Sequence, residues 1–107
     1  MKRIRNGLYL VLCIFGFLIP LHVSAAGRDA VIIQQPVYYP FSAVIRDNGR
    51  VLINNELVLK DGRYEIDFED FEQKIIGNKV KLFILCSPHN PVGRVWSAEE
   101  LRKLGEI

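Results

Sequence analysis

The chain is poor in cysteine, with only Cys13 and Cys86 among its 107 residues, each in or at the end of an apolar run. So few cysteines exclude the disulfide-rich secreted scaffolds, and we interpret Cys86 as a small buried hydrophobe without a catalytic role. Internal repeats and low-complexity stretches are also absent from the sequence. Its hydrophobic content of 50% and charged content of 24% are those of a globular protein. The length allows one small domain at most.

The sequence also lacks a strong charge of either sign, with a net charge of +2. Residues 1–30 carry four basic side chains against one acidic, which gives +3, and residues 31–107 carry ten against eleven, which gives −1. The signs are interspersed along the second part, so no basic stripe is available for a phosphate backbone. The charge pattern therefore excludes nucleic acid as an expected partner.

The first 25 residues have the three-part pattern of a secretory signal peptide. Residues 2–6 are basic, residues 7–21 form an uncharged apolar run, and a small Val-Ser-Ala motif ends at Ala25. The run is shorter than the ~20 residues of a spanning helix, and Pro20 lies near its end, which favours cleavage over anchoring. We expect a leader over residues 1–25. The alternative is an aberrant start joined to a body to which it does not belong.

From Ala30 onward, short runs with strand character alternate with helical ones, which predicts an α/β fold. Strands are expected at 30–34, 50–53, 57–59 and 79–86, a turn at 61–62, and helices after Pro40, after the Asp67 N-cap and after a Ser97/Glu100 capping box. The run at 79–86 ends in five apolar residues, which is typical of a strand buried on both faces of a parallel sheet. Because the chain stops at Ile107 inside the last helix, truncation is the simplest interpretation.

The loop that follows this strand, SPHNPVGRVW at residues 87–96, is the first candidate site. Pro91 holds the loop extended beyond the carboxyl end of the strand, where open α/β sheets bind ligands. There Asn90 can offer an amide N–H to a ligand oxygen, and Gly93 allows close approach of the backbone. By spacing alone, however, an Asn-Pro-x-Gly turn is more often structural.

Two motifs together resemble the fold-type I aminotransferases, which use pyridoxal 5′-phosphate (PLP). One is a strand followed by S-P-H-N-P-x-G-R-x-W and a capped helix, and the other is Q-P-x-Y-x-x-F after an earlier strand. Their details, CSPHNPVGRVW and PVYYPF, are more similar to the PatB or MalY type of cystathionine β-lyase than to aspartate aminotransferases. The resemblance covers residues 27–107 and implies part of the family's large domain, a parallel-rich sheet with flanking helices.

The resemblance implies two cofactor contacts and assigns no catalytic residue or metal ligand within this chain. Asn90 matches the family asparagine that donates a hydrogen bond to the phenolic oxygen of PLP. Tyr38 matches the aromatic residue that stacks on the pyridine ring; without the resemblance it would be interpreted as a core aromatic. His89 is interpreted as a loop residue although its ordinary pKa suits proton transfer. Arg94 and Trp96 are expected to shape the loop.

Three further expectations concern geometry. The strands at 30–34 and 80–86 should lie in one sheet, with the side chains of Tyr38 and Asn90 converging at its carboxyl edge. The resemblance also implies cis peptide bonds before Pro36 and before Pro91. The acidic stretch at 65–72 offers several carboxylates, but we interpret it as the start of a helix, where negative charge is favoured, rather than as a metal cluster.

The implied reaction is β-elimination from an amino acid such as cystathionine, releasing a thiol, pyruvate and ammonia. An aminotransferase is the close alternative, because the same cofactor contacts serve both reactions. A small secreted α/β binding module is the alternative from another class, supported by the leader and the short length. A third interpretation is a gene remnant without independent function.

The family's Schiff-base lysine and the acidic partner of the pyridinium nitrogen follow the Asn-Pro-x-Gly loop in a region that this sequence lacks, so the chain is expected to be inactive alone. The family's homodimer is not expected for such a fragment. The resemblance implies a cytoplasmic location, whereas a genuine leader would imply secretion.

Overall fold

The computed structural model of this protein describes residues 2–4, 8–13 and 29–107. The strands in these residues are β1 (Lys2–Ile4), β2 (Leu8–Cys13), β3 (Ala30–Ile33), β4 (Val51–Asn54), β5 (Val58–Lys60), β6 (Arg63–Glu65) and β7 (Leu82–Cys86). The helices are α1 (Pro40–Asp47), α2 (Phe68–Gly77) and α3 (Ala98–Glu106).

Five of these strands form one sheet in the order β1-β2-β7-β3-β4. Strands β2, β7, β3 and β4 run parallel, and β1 is antiparallel to β2. In the β3–β7 pair, Val31 lies opposite Leu82 and Ile32 opposite Phe83. The predicted α/β fold with a parallel-rich sheet is confirmed, as is the placement of both predicted strands in one sheet.

Strand β7 is buried at all five of its residues because it has helices on both faces. Side chains alternate between the faces of a strand. On one face Phe83 and Leu85 pack with Phe71 of α2 and Leu104 of α3. The other face carries Leu82, Ile84 and Cys86, which pack with two residues of α1, Phe41 and Ile45. This one strand therefore contributes to two hydrophobic clusters, one on each face of the sheet. The prediction that it is buried on both faces is confirmed.

The helices begin and end at residues that are suited to helix termini. Pro40 occupies the first turn of α1, where its missing N–H is no loss, and Gly49 follows the helix at φ +68. The Asp67 carboxylate accepts a hydrogen bond from Asp70 N at the start of α2. Ser97 and Glu100 form the predicted capping box at the start of α3.

The structure differs from the sequence-based expectation at strand ends, in one hairpin, and in strands β1 and β2, which were not predicted. Strand β7 begins at Leu82 rather than at residue 79, because Lys79 has φ +50 and belongs to the turn after α2. The expected turn at 61–62 has positive φ at both residues, which suits a two-residue hairpin. It joins β5 to β6, a short polar strand that the hydrophobic pattern did not reveal.

The predicted leader over residues 1–25 stays a prediction. The structure places two of its segments in the sheet as β1 and β2, where Cys13 lies in register with Cys86. The rest of it lies outside the described residues. No helix among the described residues is long and apolar enough to cross a membrane.

Candidate functional site

The segments that carry Tyr38 and Asn90 leave the sheet at the same edge. Because β3 and β7 are parallel neighbours, their last residues, Ile33 and Cys86, lie at a common carboxyl edge. Tyr38 follows β3 and Asn90 follows β7 within a few residues. The topology thus puts both predicted cofactor residues in loops beyond the edge where parallel sheets bind ligands. Their roles toward a cofactor remain predictions.

Tyr38 is half-buried beside the cluster formed by α1 and β7. Its ring meets the ring of Phe41 edge to face, with centroids 5.9 Å apart and planes at 86°. Phe41 is completely buried and therefore gives Tyr38 a fixed support. The next residue, Tyr39, is 80% exposed. The aromatic pair Tyr38-Tyr39 therefore offers one positioned ring and one that projects into solvent.

Asn90 is exposed and stands between a buried residue and a proline, His89 and Pro91. The loop around it is closed by two backbone hydrogen bonds, His89 N to Arg94 O at 2.6 Å and Gly93 N to His89 O at 2.8 Å. Gly93 has φ +75, which a residue with a side chain adopts only with strain. The loop therefore holds Asn90 on a short, internally bonded turn with its side chain in solvent.

The peptide bonds of both loops include three cis prolines. The bonds before Pro36 and Pro91 are cis, as the resemblance implied. The bond between Ser87 and Pro88 is cis as well, which the sequence analysis did not predict.

His89 has its imidazole buried, with 2% exposure. Its Nε2 lies 3.1 Å from the carbonyl oxygen of Gln34, and its ring meets Trp96 edge to face at 5.5 Å. Burial lowers the pKa of His89 below its ordinary value of 6.5, and the bond to Gln34 acts in the opposite direction. The imidazole is therefore neutral at pH 7, in keeping with its interpretation as a loop residue.

Arg94 and Trp96 anchor the loop, which agrees with the role in shape that the sequence suggested. Arg94 Nη2 donates to both carboxylate oxygens of Glu100 at 2.9 and 2.8 Å, and Nη1 donates to Tyr64 O at 2.7 Å. The guanidinium also lies 4.6 Å from the centre of the Trp96 ring. Trp96 in turn donates from Nε1 to Cys86 O at 2.9 Å. The loop is thus fixed to β7, to the β6 strand and to α3.

A buried polar chain behind β3 was missed by the sequence analysis. Gln34 Nε2 donates to Asn55 Oδ1 at 3.0 Å, and Asn55 Nδ2 donates to Asp70 Oδ2 at 2.8 Å and to Asp67 O at 3.0 Å. It links the end of β3 to the first turn of α2. The signal in the sequence was a glutamine at the end of an otherwise apolar strand, where a buried amide needs a partner.

The acidic stretch at 65–72 starts helix α2, as expected. Burial acts to raise the pKa of Asp70, but hydrogen bonds from Asn55 and Lys74 outweigh it and hold that pKa below its ordinary value of 3.8. Among residues 29–107, no group of three or more His, Cys, Asp or Glu side chains is arranged to hold a metal ion.

The five lysines within residues 29–107 lie outside the sequence segments that form the two loops. Lys74 Nζ donates to Asn54 O at 2.8 Å and pairs with Asp70 at 3.0 Å, and Lys103 lies over the ring of Phe68. The remaining lysines within 29–107 are at positions 60, 79 and 81. None of the five lies in the segments 34–39 or 87–97.

The two loops fit part of PLP. An exposed amide suits a phenolic oxygen, and a half-buried aromatic ring suits a flat heteroaromatic one. Within the described residues, the loops supply neither an amine for a Schiff base nor a carboxylate for the pyridine nitrogen. The chemistry of these groups is thus compatible with the predicted positioning of PLP, and within the described residues the two loops carry no amine that could form the Schiff base.

The chain matches the family model for aminotransferase class I and II over residues 16–107. The match begins before residue 27, where the sequence analysis placed the start of the resemblance. It is 56% identical over 79 residues to the cystathionine β-lyase PatB of Bacillus subtilis strain 168, a match covering 74% of this chain and 20% of that protein. The chain therefore spans about a fifth of the length of the curated relatives that it matches.

Solved structures of PLP enzymes also match this chain. One is a PLP-bound protein of Clostridium difficile 630, provisionally assigned as an aminotransferase: it has 52% identity and a TM-score of 0.71, and the match covers 77% of this chain and 21% of that one. Another is the PLP-bound C-S lyase of Staphylococcus hominis, at 42% identity and a TM-score of 0.69, over 74% and 20% of the two chains. Both contain PLP, so the prediction of PLP as the family's cofactor is confirmed.

Proposed function

The chain belongs to the aminotransferase class I and II family, and on this premise we propose that it is part of a PLP-dependent carbon–sulfur β-lyase of the cystathionine β-lyase type. The observation that carries the proposal is the 56% identity to the cystathionine β-lyase PatB. The likeness to a C-S lyase structure at 42% identity supports it further. The family acts on amino acids, and we propose a thioether amino acid such as cystathionine as the substrate.

In this proposal the two loops bind and orient the cofactor. Asn90 would donate its amide N–H to the phenolic oxygen of PLP, and the ring of Tyr38 would stack on the pyridine ring. Bound PLP supplies an electron sink for the negative charge that develops on the substrate when its α-proton is removed. The internal bonds of the 87–96 loop keep Asn90 in place, so that its hydrogen bond requires little ordering on binding.

The proposed elimination removes the α-proton, breaks the bond between the β-carbon and sulfur, and releases a thiol and 2-aminoacrylate, which water hydrolyses to pyruvate and ammonia. A base is needed for the α-proton, and the five lysines within residues 29–107 all lie outside the loops that carry Tyr38 and Asn90. We therefore propose that Tyr38 and Asn90 help to hold the cofactor and that the base for the α-proton comes from outside these two loops. By the family resemblance we propose a cytoplasmic location.

Aminotransfer is the second candidate, favoured by the likeness to the structure from Clostridium difficile that is assigned as an aminotransferase. Stacking on the ring and a hydrogen bond to its phenolic oxygen serve elimination and transamination alike. The secreted binding module gains no support, since the family match extends over residues 16–107 and includes part of the predicted leader.

The cofactor contacts are tested by grafting. Residues 29–107 would replace the matched segment of the B. subtilis lyase, and PLP binding would be followed by its visible absorption. We expect Asn90→Ala to weaken PLP binding by roughly tenfold, the loss of about one hydrogen bond, while Tyr39→Ala has little effect. If Asn90→Ala leaves PLP affinity and absorption unchanged, the proposed role of Asn90 is wrong.

The reaction class is tested on the gene. The DNA on both sides of this reading frame would be sequenced, and the longest product expressed and assayed for pyruvate from cystathionine and for amino transfer to a 2-oxo acid. We expect pyruvate to dominate. Amino transfer without pyruvate would favour the aminotransferase.

A further inference from the structure

One side-chain contact joins the two loops that carry Tyr38 and Asn90. His89 follows β7, Gln34 follows β3, and the imidazole Nε2 lies 3.1 Å from the Gln34 carbonyl oxygen although 55 positions separate the two residues. Both residues are buried, with 2% and 1% exposure. A hydrogen bond at such depth is shielded from water and is costly to break without replacement.

The partner decides which imidazole nitrogen carries the proton. A carbonyl oxygen can only accept, so Nε2 must be the donor, and Nδ1 is then unprotonated in the neutral ring. Nδ1 is buried and has no partner among the residues that the structure describes. A second proton on Nδ1 would leave a buried donor unsatisfied and bury a charge. The contact therefore requires the neutral Nε2–H form.

Both ends of this contact are themselves fixed. On the β7 side, His89 N donates to Arg94 O, His89 O accepts from Gly93 N, and the ring packs against Trp96. On the β3 side, the Gln34 side chain donates to the buried amide of Asn55. Each end of the contact is therefore held by further bonds, and the imidazole spans the distance between the loops.

We propose that His89 is a positioning residue that, by donating a hydrogen bond from Nε2 to Gln34 O, fixes the Asn90 loop relative to the Tyr38 segment and so sets the geometry of the cofactor site. The part that concerns the cofactor rests on the proposed function. The coupling between the loops does not, and it can be measured without PLP.

The test compares the complete 107-residue chain with two variants, His89→Gln and His89→Leu. Glutamine places an amide N–H near the position of Nε2, whereas leucine fills the space and donates nothing. Amide exchange would be measured at Gln35, which donates to Asn54 Oδ1, and at Gly93, which lies in the Asn90 loop. A long-range ¹H–¹⁵N spectrum of the unsubstituted chain would identify the protonated imidazole nitrogen.

We expect Nε2 to be protonated near pH 7.5. We expect roughly tenfold faster exchange at both amides in His89→Leu, the effect of losing one buried hydrogen bond, and rates close to those of the unsubstituted chain in His89→Gln. Recovery in the glutamine variant separates the hydrogen bond from mere packing, since the two replacements fill similar volumes.

Several outcomes would overturn the proposal: a proton on Nδ1, unchanged exchange in His89→Leu, or equal acceleration in both variants. Unprotected amides in β3 and β7 of the unsubstituted chain would overturn it too, because the contact would then not form. A grafted lyase that is insensitive to Asn90→Ala would instead contradict the proposed function, and the measured coupling between the loops would stand.

Discussion

The indole of Trp96 donates from Nε1 to the carbonyl oxygen of Cys86 at 2.9 Å, and this bond closes the loop that carries Asn90. Cys86 is the last residue of β7, and Trp96 directly precedes Ser97, the N-cap of α3. The loop therefore starts and finishes at one buried hydrogen bond. This closure therefore helps to fix the position of Asn90.

Replacing Trp96 with phenylalanine should loosen this loop. Trp96→Phe keeps an aromatic ring in the core but removes the hydrogen bond from Nε1 to the Cys86 carbonyl, so we expect a loss of about 1–1.5 kcal/mol in the free energy of unfolding. Urea unfolding checks the loss, and amide exchange of Gly93 checks the loop. Val95→Ala is the matched control, since Val95 is 68% exposed, and it should change stability by less than about 0.5 kcal/mol. An equal loss in both variants would contradict the assignment.

Asn55 should contribute far more to stability than an exposed asparagine with a similar bond. Asn55 is completely buried and links Gln34 to Asp67 and Asp70, so Asn55→Ala removes three hydrogen bonds, leaves the buried Gln34 amide unpaired and should cost about 2–4 kcal/mol.

The control for Asn55→Ala is Asn48→Ala. Asn48 donates to Val44 O at 2.8 Å on the surface, and its loss should cost no more than about 1 kcal/mol. Urea unfolding of the two variants under identical conditions gives the comparison. Similar losses would show that the buried polar chain behind β3 adds little.

The sequence was sufficient for strands β3, β4 and β7 and for the helix caps because their signals are local, whereas β1 and β2 lie in the segment predicted as a leader. Five consecutive apolar residues predicted β7, and the Ser97 capping box predicted α3. The partners of Gln34 and His89 were not predictable in the same way, because Asn55 and the Gln34 carbonyl come together only when β3, β4 and β7 form one sheet. Strand β6 was not predicted because it has only three residues, of which Arg63 and Glu65 are charged and exposed, so its pairing with β5 defines it.

The loop at 87–96 was predictable in part, because some of its features have local signals and others depend on contacts with distant residues. The motif indicated a rigid turn, and the resemblance gave Asn90 and Tyr38 their predicted roles. The bonds that fix the turn run from Arg94 to Tyr64 and to Glu100, and the first of these partners comes from a hairpin whose second strand the hydrophobic pattern could not show.

Acid should weaken the fold in a window set by His89. Its pKa is lowered below 6.5 by burial, so the unfolded chain binds the proton more tightly than the folded one. The stabilisation is therefore complete above about pH 6.5 and is lost progressively as the pH falls through the lowered pKa of the folded state. Burial acts to raise the carboxyl pKa values of Asp70 and Glu100, but their hydrogen bonds hold them below the ordinary 3.8 and 4.5, so they titrate outside this window.

The measurement is the urea midpoint between pH 7.5 and pH 5, in the unsubstituted chain and in His89→Gln. We expect the urea midpoint of the unsubstituted chain to fall as the pH falls, and the midpoint of His89→Gln to change less. The difference between the two isolates the effect of His89 from that of the other histidine, at position 22. Parallel pH profiles would mean that His89 titrates in the folded protein as it does in the unfolded chain.

The 107-residue chain, made as written, should show no lyase or aminotransferase activity. One hydrogen bond from Asn90 and one stacking contact with Tyr38 contribute roughly 1–3 kcal/mol together. The loss of translational and rotational freedom on binding costs about 4–15 kcal/mol, so these contacts alone do not retain PLP. The lysines of the described chain also lie outside the two loops, with Lys74 engaged by Asn54 and Asp70. Purified chain mixed with PLP should therefore give neither the visible absorption of a PLP–lysine adduct nor pyruvate from cystathionine. A stoichiometric adduct at one lysine, together with turnover, would show that the chain is an enzyme in its own right.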